Sequence, residues 1–130
     1  LWICKKLMNY EEDVIQKAIC KYLDMRNVCY WAVPNGGARS KIEGAKLKAT
    51  GTKSGVPDLT VVYDGLYWGL EVKRPANAKH PKGYLTKSQK DMHEKIRNAG
   101  GSVTTVYSVA DVILWLNTEV MYERKFPTEE

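Results

Sequence analysis

Asp58, closing Gly55-Val56-Pro57-Asp58, and the pair Glu71 and Lys73 in Glu71-Val72-Lys73 are the residues of this 130-residue chain whose types and spacing best suit chemistry. Between them lie two runs rich in β-branched and aromatic residues, Leu59 to Tyr63 and Leu66 to Lys73, joined by Asp64-Gly65, a strong signal for a two-residue hairpin turn. In a tight hairpin the numbers of paired residues share one sum, so Tyr63 faces Leu66, Val61 faces Trp68 and Asp58 faces Glu71. Side chains alternate along a strand, which puts Glu71 and Lys73 on one face and Leu70 and Val72 on the other. Two carboxylates roughly 5 Å apart at Cβ repel unless something compensates. A divalent cation compensates: magnesium takes one or two protein carboxylates and keeps its other positions for water and phosphate oxygens. Lys73 is then placed to polarise such a water or to hold a phosphate as a point charge. The plainer reading is an exposed acid at a strand end beside a solvated Glu-x-Lys pair. The Pro-Asp lead-in, the register and the basic surroundings favour the chemical one.

Those surroundings are uneven. Lys and Arg outnumber Asp and Glu by 20 to 15, a net charge of +5 and a pI near 9.1. Arg39, Lys41, Lys46, Lys48 and Lys53 fall in one glycine-punctuated stretch with Glu43 as its only acid. Lys73, Arg74, Lys79, Lys82, Lys87 and Lys90 fall in a second, which has no acid at all. Either alone reads equally well as a solvated loop; flanking a carboxylate pair, the two read as a phosphate track and favour nucleic acid as partner. Tyr84 lies in the second stretch as a candidate base contact, whereas Tyr63, Tyr67 and Trp68 read as sheet packing. His80 and His93 lack a partner histidine at metal-binding spacing and read as surface or packing residues.

Cys4, Cys20 and Cys29 are odd in number and lack Cys-x-x-Cys spacing, so neither a disulfide framework nor a zinc site is indicated, and a cytoplasmic setting fits. No apolar run approaches membrane-spanning length, and Leu1 to Leu7 is too short for a secretory signal. Met8 resembles a natural start, so residues 1–9 read as an N-terminal extension, 10–117 as one domain and 118–130 as a C-terminal tail.

The elements that must position the acids follow from periodicity. Tyr10 to Met25 predicts a helix with Ile15, Ala18, Ile19, Tyr22 and Leu23 as its apolar stripe, and Val28 to Val33 a strand. Residues 38–55 show no convincing period and read as a long functional loop, with at most a short strand or turn inside. Pro75 to Leu85 is a second loop. Thr86-Lys87-Ser88-Gln89 has the form of a capping box opening a helix that turns Met92 and Ile96 inward and stops at Gly100-Gly101. Ser102 to Tyr107 alternates as a strand, and Ser108 caps a helix with Val112, Ile113, Trp115 and Leu116 inward. Beyond Asn117 the residues suit a frayed extension and a helix equally. This order predicts an α/β fold: a mixed central sheet flanked by helices, the hairpin in the middle and the Ser102 strand beside Leu66 to Lys73 through a right-handed crossover.

Gly55-Val56-Pro57-Asp58-Leu59, Glu71-Val72-Lys73 and Leu85-Thr86-Lys87-Ser88-Gln89, with Glu12-Asp13-Val14-Ile15-Gln16 and Pro34-Asn35-Gly36-Gly37 upstream, together resemble the VRR-NUC family of the PD-(D/E)XK nuclease superfamily, over about Glu11 to Leu116. The resemblance implies a restriction-endonuclease-like fold and a metal-dependent endonuclease of DNA replication, recombination and repair. It implies that Asp58, Glu71 and the Val72 carbonyl ligate Mg²⁺ or Mn²⁺ and that Lys73 assists the attacking water. Glu12 matches the helix acid that completes the site, and Gln89 the glutamine after the last motif. Small stand-alone members, often phage-encoded, look like homodimeric Holliday-junction resolvases, which would place this chain on branched DNA in a host cytoplasm. The residues themselves leave alternatives open. Glu12 shares a face with Ile15 and Ile19 but also suits a dipole-favoured first turn, Glu11 could take its place, and Gln89 need only close the capping box. A nuclease of flap or restriction-like specificity and a non-catalytic nucleic-acid-binding module are the rival functions.

Overall fold

The computed structural model describes residues 2–34 and 40–122, with side chains from Glu11 onward. Its elements are α1 (Trp2–Met25), β1 (Cys29–Ala32), α2 (Lys41–Ala49), β2 (Leu59–Tyr63), β3 (Leu66–Val72), α3 (Lys87–Asn98), β4 (Ser102–Val106) and α4 (Val109–Trp115), which runs on into a wide helical turn over Leu116–Val120. The α/β expectation is borne out: the four strands form one mixed sheet in the order β1-β2-β3-β4.

β2 and β3 make the expected hairpin, with Tyr63 paired to Leu66 and Val61 to Trp68. Asp64 and Gly65 both take left-handed backbone, at φ 56° and 77°, the combination whose twist suits two right-twisted strands. β1 lies antiparallel against β2, and β4 lies parallel to β3. A parallel neighbour cannot be reached by a tight turn, so α3 occupies the connection between β3 and β4.

The core forms on one sheet face, where Leu59, Val61, Leu70, Val72 and Val106 meet Ile19 and Leu23 of α1, Val112 and Trp115 of α4, and Leu116 of the turn that follows. Fully burying each such side chain contributes roughly 1.5–3 kcal/mol, which makes this layer the platform on which β3 is held. Trp68 stands edge-on to Trp115, ring centres 5.9 Å apart and planes at 78°, so the aromatic residues of the hairpin do pack the sheet. α3 covers the opposite face and starts with the capping box: the Thr86 hydroxyl accepts from Gln89 N–H while Gln89 Oε1 accepts from Thr86 N–H at 2.9 Å.

Four local expectations are corrected. α1 begins at Trp2 rather than Tyr10. The stretch expected to be a loop contains α2, capped by Ser40, whose hydroxyl accepts from Glu43 N–H at 3.1 Å. Ile113 is 40% exposed while its neighbours Val112 and Trp115 are buried. On α3, Met92 and Ile96 are half-buried, and the residue driven fully inward is His93. Helical structure continues past Asn117 because Val120 reaches the core. Among the described residues no helix is long and apolar enough to cross a membrane.

Candidate active site

Asp58 sits immediately before β2, its carbonyl accepting from Val33 N–H at 2.9 Å and its Oδ2 from Val72 N–H at 2.8 Å. The carboxylate is thus tied across the hairpin to the residue after Glu71, just past the Leu59–Leu70 pair that ends the ladder. Gly55 prepares this approach. It has φ 79°, and a Cβ there would collide with the Ser88 carbonyl at the start of α3, so only glycine lets the loop lie against that helix.

Glu71 lies on the sheet face opposite Leu70 and Val72 and is 1% exposed. Its Oε1 is 2.9 Å from Nε2 of His93, also 1% exposed. Burial, then hydrogen bonding to Asp58 and repulsion from it, push the Glu71 carboxyl up to about 9, against the opposing pull of Lys73. At neutral pH and without a cation this pair holds a proton. Lys73 is buried beside it: its N–H donates to the Val106 carbonyl at 2.9 Å, and the following loop folds back so that Gly83 N–H donates to the Arg74 carbonyl at 2.8 Å. Glu12 of α1 is the fourth member. Burial raises its carboxyl above the usual range, while Lys73 and a backbone hydrogen bond from Arg74 pull it down and Asp58 pushes it up again.

Glu12, Asp58, Glu71 and Lys73 are therefore within electrostatic reach of one another at the end of β3. Glu11 instead lines a separate, largely apolar hollow with Val14, Ile15, Pro75 and Asn77, so the helix acid beside the cluster is Glu12. Gln89 closes the capping box and lines a groove of ≈ 610 Å³ between α2, the loop through Gly55 and the first turn of α3. Lys48, Lys53, Thr52, Ser54, Thr86 and Ser88 share that groove, which runs alongside the loop that carries Asp58.

The remaining basic residues separate. Lys41, Lys46, Lys79, Lys82 and Lys87 are exposed, with the Lys82 ammonium 5.4 Å from the Tyr107 ring centre. Arg74, expected on the phosphate track, is 6% exposed and turns its guanidinium to the Pro75 carbonyl at 3.3 Å, so it supports the end of β3 rather than offering a surface charge. Arg39 and Asn35-Gly36-Gly37 lie outside the described residues. Tyr84 is 82% exposed, where a base contact requires it. Met121 packs against the core and Tyr122 is exposed, while the Trp2 side chain and Phe126 lie outside the described residues.

His93 is the site neighbour that reading the sequence missed. Its partner is a carboxylate rather than a second histidine; the available signal was its place on the Gln89, His93, Ile96 face of a capped helix.

Among the described residues no three His, Cys, Asp or Glu side chains form a ready-made metal cage. The donor chemistry nonetheless fits a hydrated magnesium or manganese ion, which needs only one or two carboxylates. Asp58 and Glu71 each use one named oxygen internally, and the proton their repulsion retains is the charge a cation would replace.

Solved structures of other proteins share this architecture. One, described as a VRR_NUC domain protein, superposes with a TM-score of 0.63 at 21% identity over 85% of this chain and 88% of its own. Another, described as a VRR_NUC domain, gives 0.56 at 24% identity over 84% of this chain and 97% of its own. Likeness at these identities establishes the fold. No family model matches the sequence, and no curated relative does either.

Proposed function

We propose that this protein is a Mg²⁺- or Mn²⁺-dependent endonuclease that hydrolyses phosphodiester bonds in structured DNA, with four-way junctions as its preferred substrate. The observation that carries the reading is the meeting of the half-buried Asp58 with the fully buried Glu71, whose carboxyl burial and Asp58 push up, with Lys73 and Glu12 alongside. A purely structural role gives no reason to bury one carboxylate against another. The likeness to VRR_NUC structures and the motif order supply independent support.

Asp58, Glu71 and the Val72 carbonyl would hold the ion, with Glu12 completing the set. When bound, the ion lowers the pKa of a water and offsets charge on the attacked phosphate. Lys73 stabilises that same charge. Its burial keeps the ammonium in one place and shields it less than water would, which makes a single cation worth more there. Lys48 and Lys53 line the groove and contact the backbone to either side, while Lys41, Lys46, Lys79, Lys82 and Lys87 extend the contact surface. None of these groups reads base edges, so specificity rests on DNA shape. Cutting a junction on two strands requires two sites and therefore a homodimer. Free Cys20 and Cys29 suit the reducing cytoplasm in which such an enzyme works.

Labelled duplex, flap and four-way-junction DNAs incubated with Mg²⁺, Mn²⁺ or EDTA test the reading. Symmetric metal-dependent nicks across the junction are expected, with 5′-phosphate and 3′-hydroxyl ends. Cleavage of flap or duplex in preference to the junction overturns the substrate, and folded protein that cuts nothing with either metal overturns the enzyme.

A further inference from the structure

Packing alone does not require a hydrogen-bond donor on the inner face of α3, where leucine fills a comparable volume, yet the buried residue there is His93. A neutral imidazole carries one N–H and one bare nitrogen. Nε2 lies 2.9 Å from Glu71 Oε1, whereas Nδ1 is buried with no hydrogen-bond partner among the described residues. A buried N–H without an acceptor costs more than a bare lone pair, so the proton belongs on Nε2 and the ring donates to Glu71. This choice of side chain suits a site for a cation. A lysine or arginine at 93 would anchor the carboxylate equally well but would compete with the ion for its charge, while a neutral imidazole favours the ionised carboxylate without that competition.

We propose that His93 is a positioning residue: its Nε2–H anchors Oε1 of Glu71 and keeps the carboxylate's other oxygen toward Asp58, where the divalent cation is to be held. The proposal rests on reading Asp58 and Glu71 as the ion-holding pair. It assigns α3 a part in metal affinity, since a carboxylate with a free side-chain torsion must be ordered each time an ion binds.

The test compares the wild-type chain with His93→Leu and His93→Gln. Mn²⁺ binding is measured by calorimetry without DNA, and the Mn²⁺ dependence of junction nicking is measured alongside. His93→Leu is expected to weaken Mn²⁺ binding at least about tenfold and to shift the nicking midpoint by the same factor, with cutting recovered at saturating metal. His93→Gln, which restores an N–H donor at similar reach, is expected to return within about threefold of the wild type. A folded His93→Leu that binds Mn²⁺ like the wild type, or a His93→Gln no better than His93→Leu, overturns the proposal. If His93→Leu does not fold, ¹⁵N NMR of the wild-type rings decides: the Nε2–H tautomer at His93 is expected, and the Nδ1–H tautomer refutes it. Wild-type protein that neither binds Mn²⁺ nor cuts any DNA removes the nuclease reading as well. A wild type that does both, beside an indifferent His93→Leu, removes the role of His93 alone.

Discussion

Glu71→Gln replaces a buried carboxyl by the neutral shape it already imitates when protonated: the amide oxygen can accept from His93 and the amide nitrogen can donate to Asp58. Folded, Glu71 titrates at about 9, against 4.5 for the group free of these surroundings. Between those values the native state binds one more proton than the unfolded chain, so stability falls as pH rises, by roughly 1.4 kcal/mol per pH unit. From about pH 7 to about pH 8.5 the wild type in EDTA should therefore lose about 2 kcal/mol through this group, which the variant cannot lose. Glu12, also raised, acts in the same direction in both proteins and cancels in the comparison. His93, whose pKa is lowered from 6.5, works with the opposite sign but only below that value, outside this window. Urea unfolding at the two pH values measures the gap, with Glu71→Gln the more stable at pH 8.5. Adding Mn²⁺ should reverse the order, because an ion that binds only the folded wild type stabilises it by mass action. A gap that stays constant across the pH window, or an equal Mn²⁺ stabilisation of both proteins, refutes the account of this site.

Asp58→Asn retains an oxygen for Val72 N–H, so unfolding curves should change little while nicking falls about 10²-fold or more, measured in single-turnover assays. Lys48→Ala with Lys53→Ala removes two exposed cations from the groove; DNA affinity should fall, and the log–log salt slope should flatten by about 2, read by fluorescence anisotropy at several salt concentrations. Gly55→Ala forces a left-handed residue and a Cβ into the Ser88 carbonyl, and should cost on the order of 2 kcal/mol or more in urea unfolding.

Much of this arrangement was legible in the sequence because local rules and tertiary packing agree there. The Asp-Gly turn, the alternation of β2 and β3 and the Thr86 and Ser108 caps each name a single structure, and the hairpin register follows by arithmetic. α2 was hidden because it buries no residue and so prints no apolar stripe; the signal present was Ser40 three residues before Glu43, an N-cap pattern inside a stretch with no convincing period. Arg74 and His93 were misjudged for a different reason. Whether a cation turns back onto its own strand, or a ring meets a carboxylate, depends on how a loop and a helix fold over β3, and spacing along the chain does not encode that.

Gln89 commits its amide oxygen to the Thr86 backbone, and the same residue faces the groove. What it has left to offer a visitor is chiefly a pair of N–H bonds. A side chain fastened this way welcomes acceptors such as phosphate oxygens and has little for a hydrated cation or a base amino group. The knot that starts a helix thereby screens what may settle beside it, and a substitution meant only to loosen the knot would also change the guest.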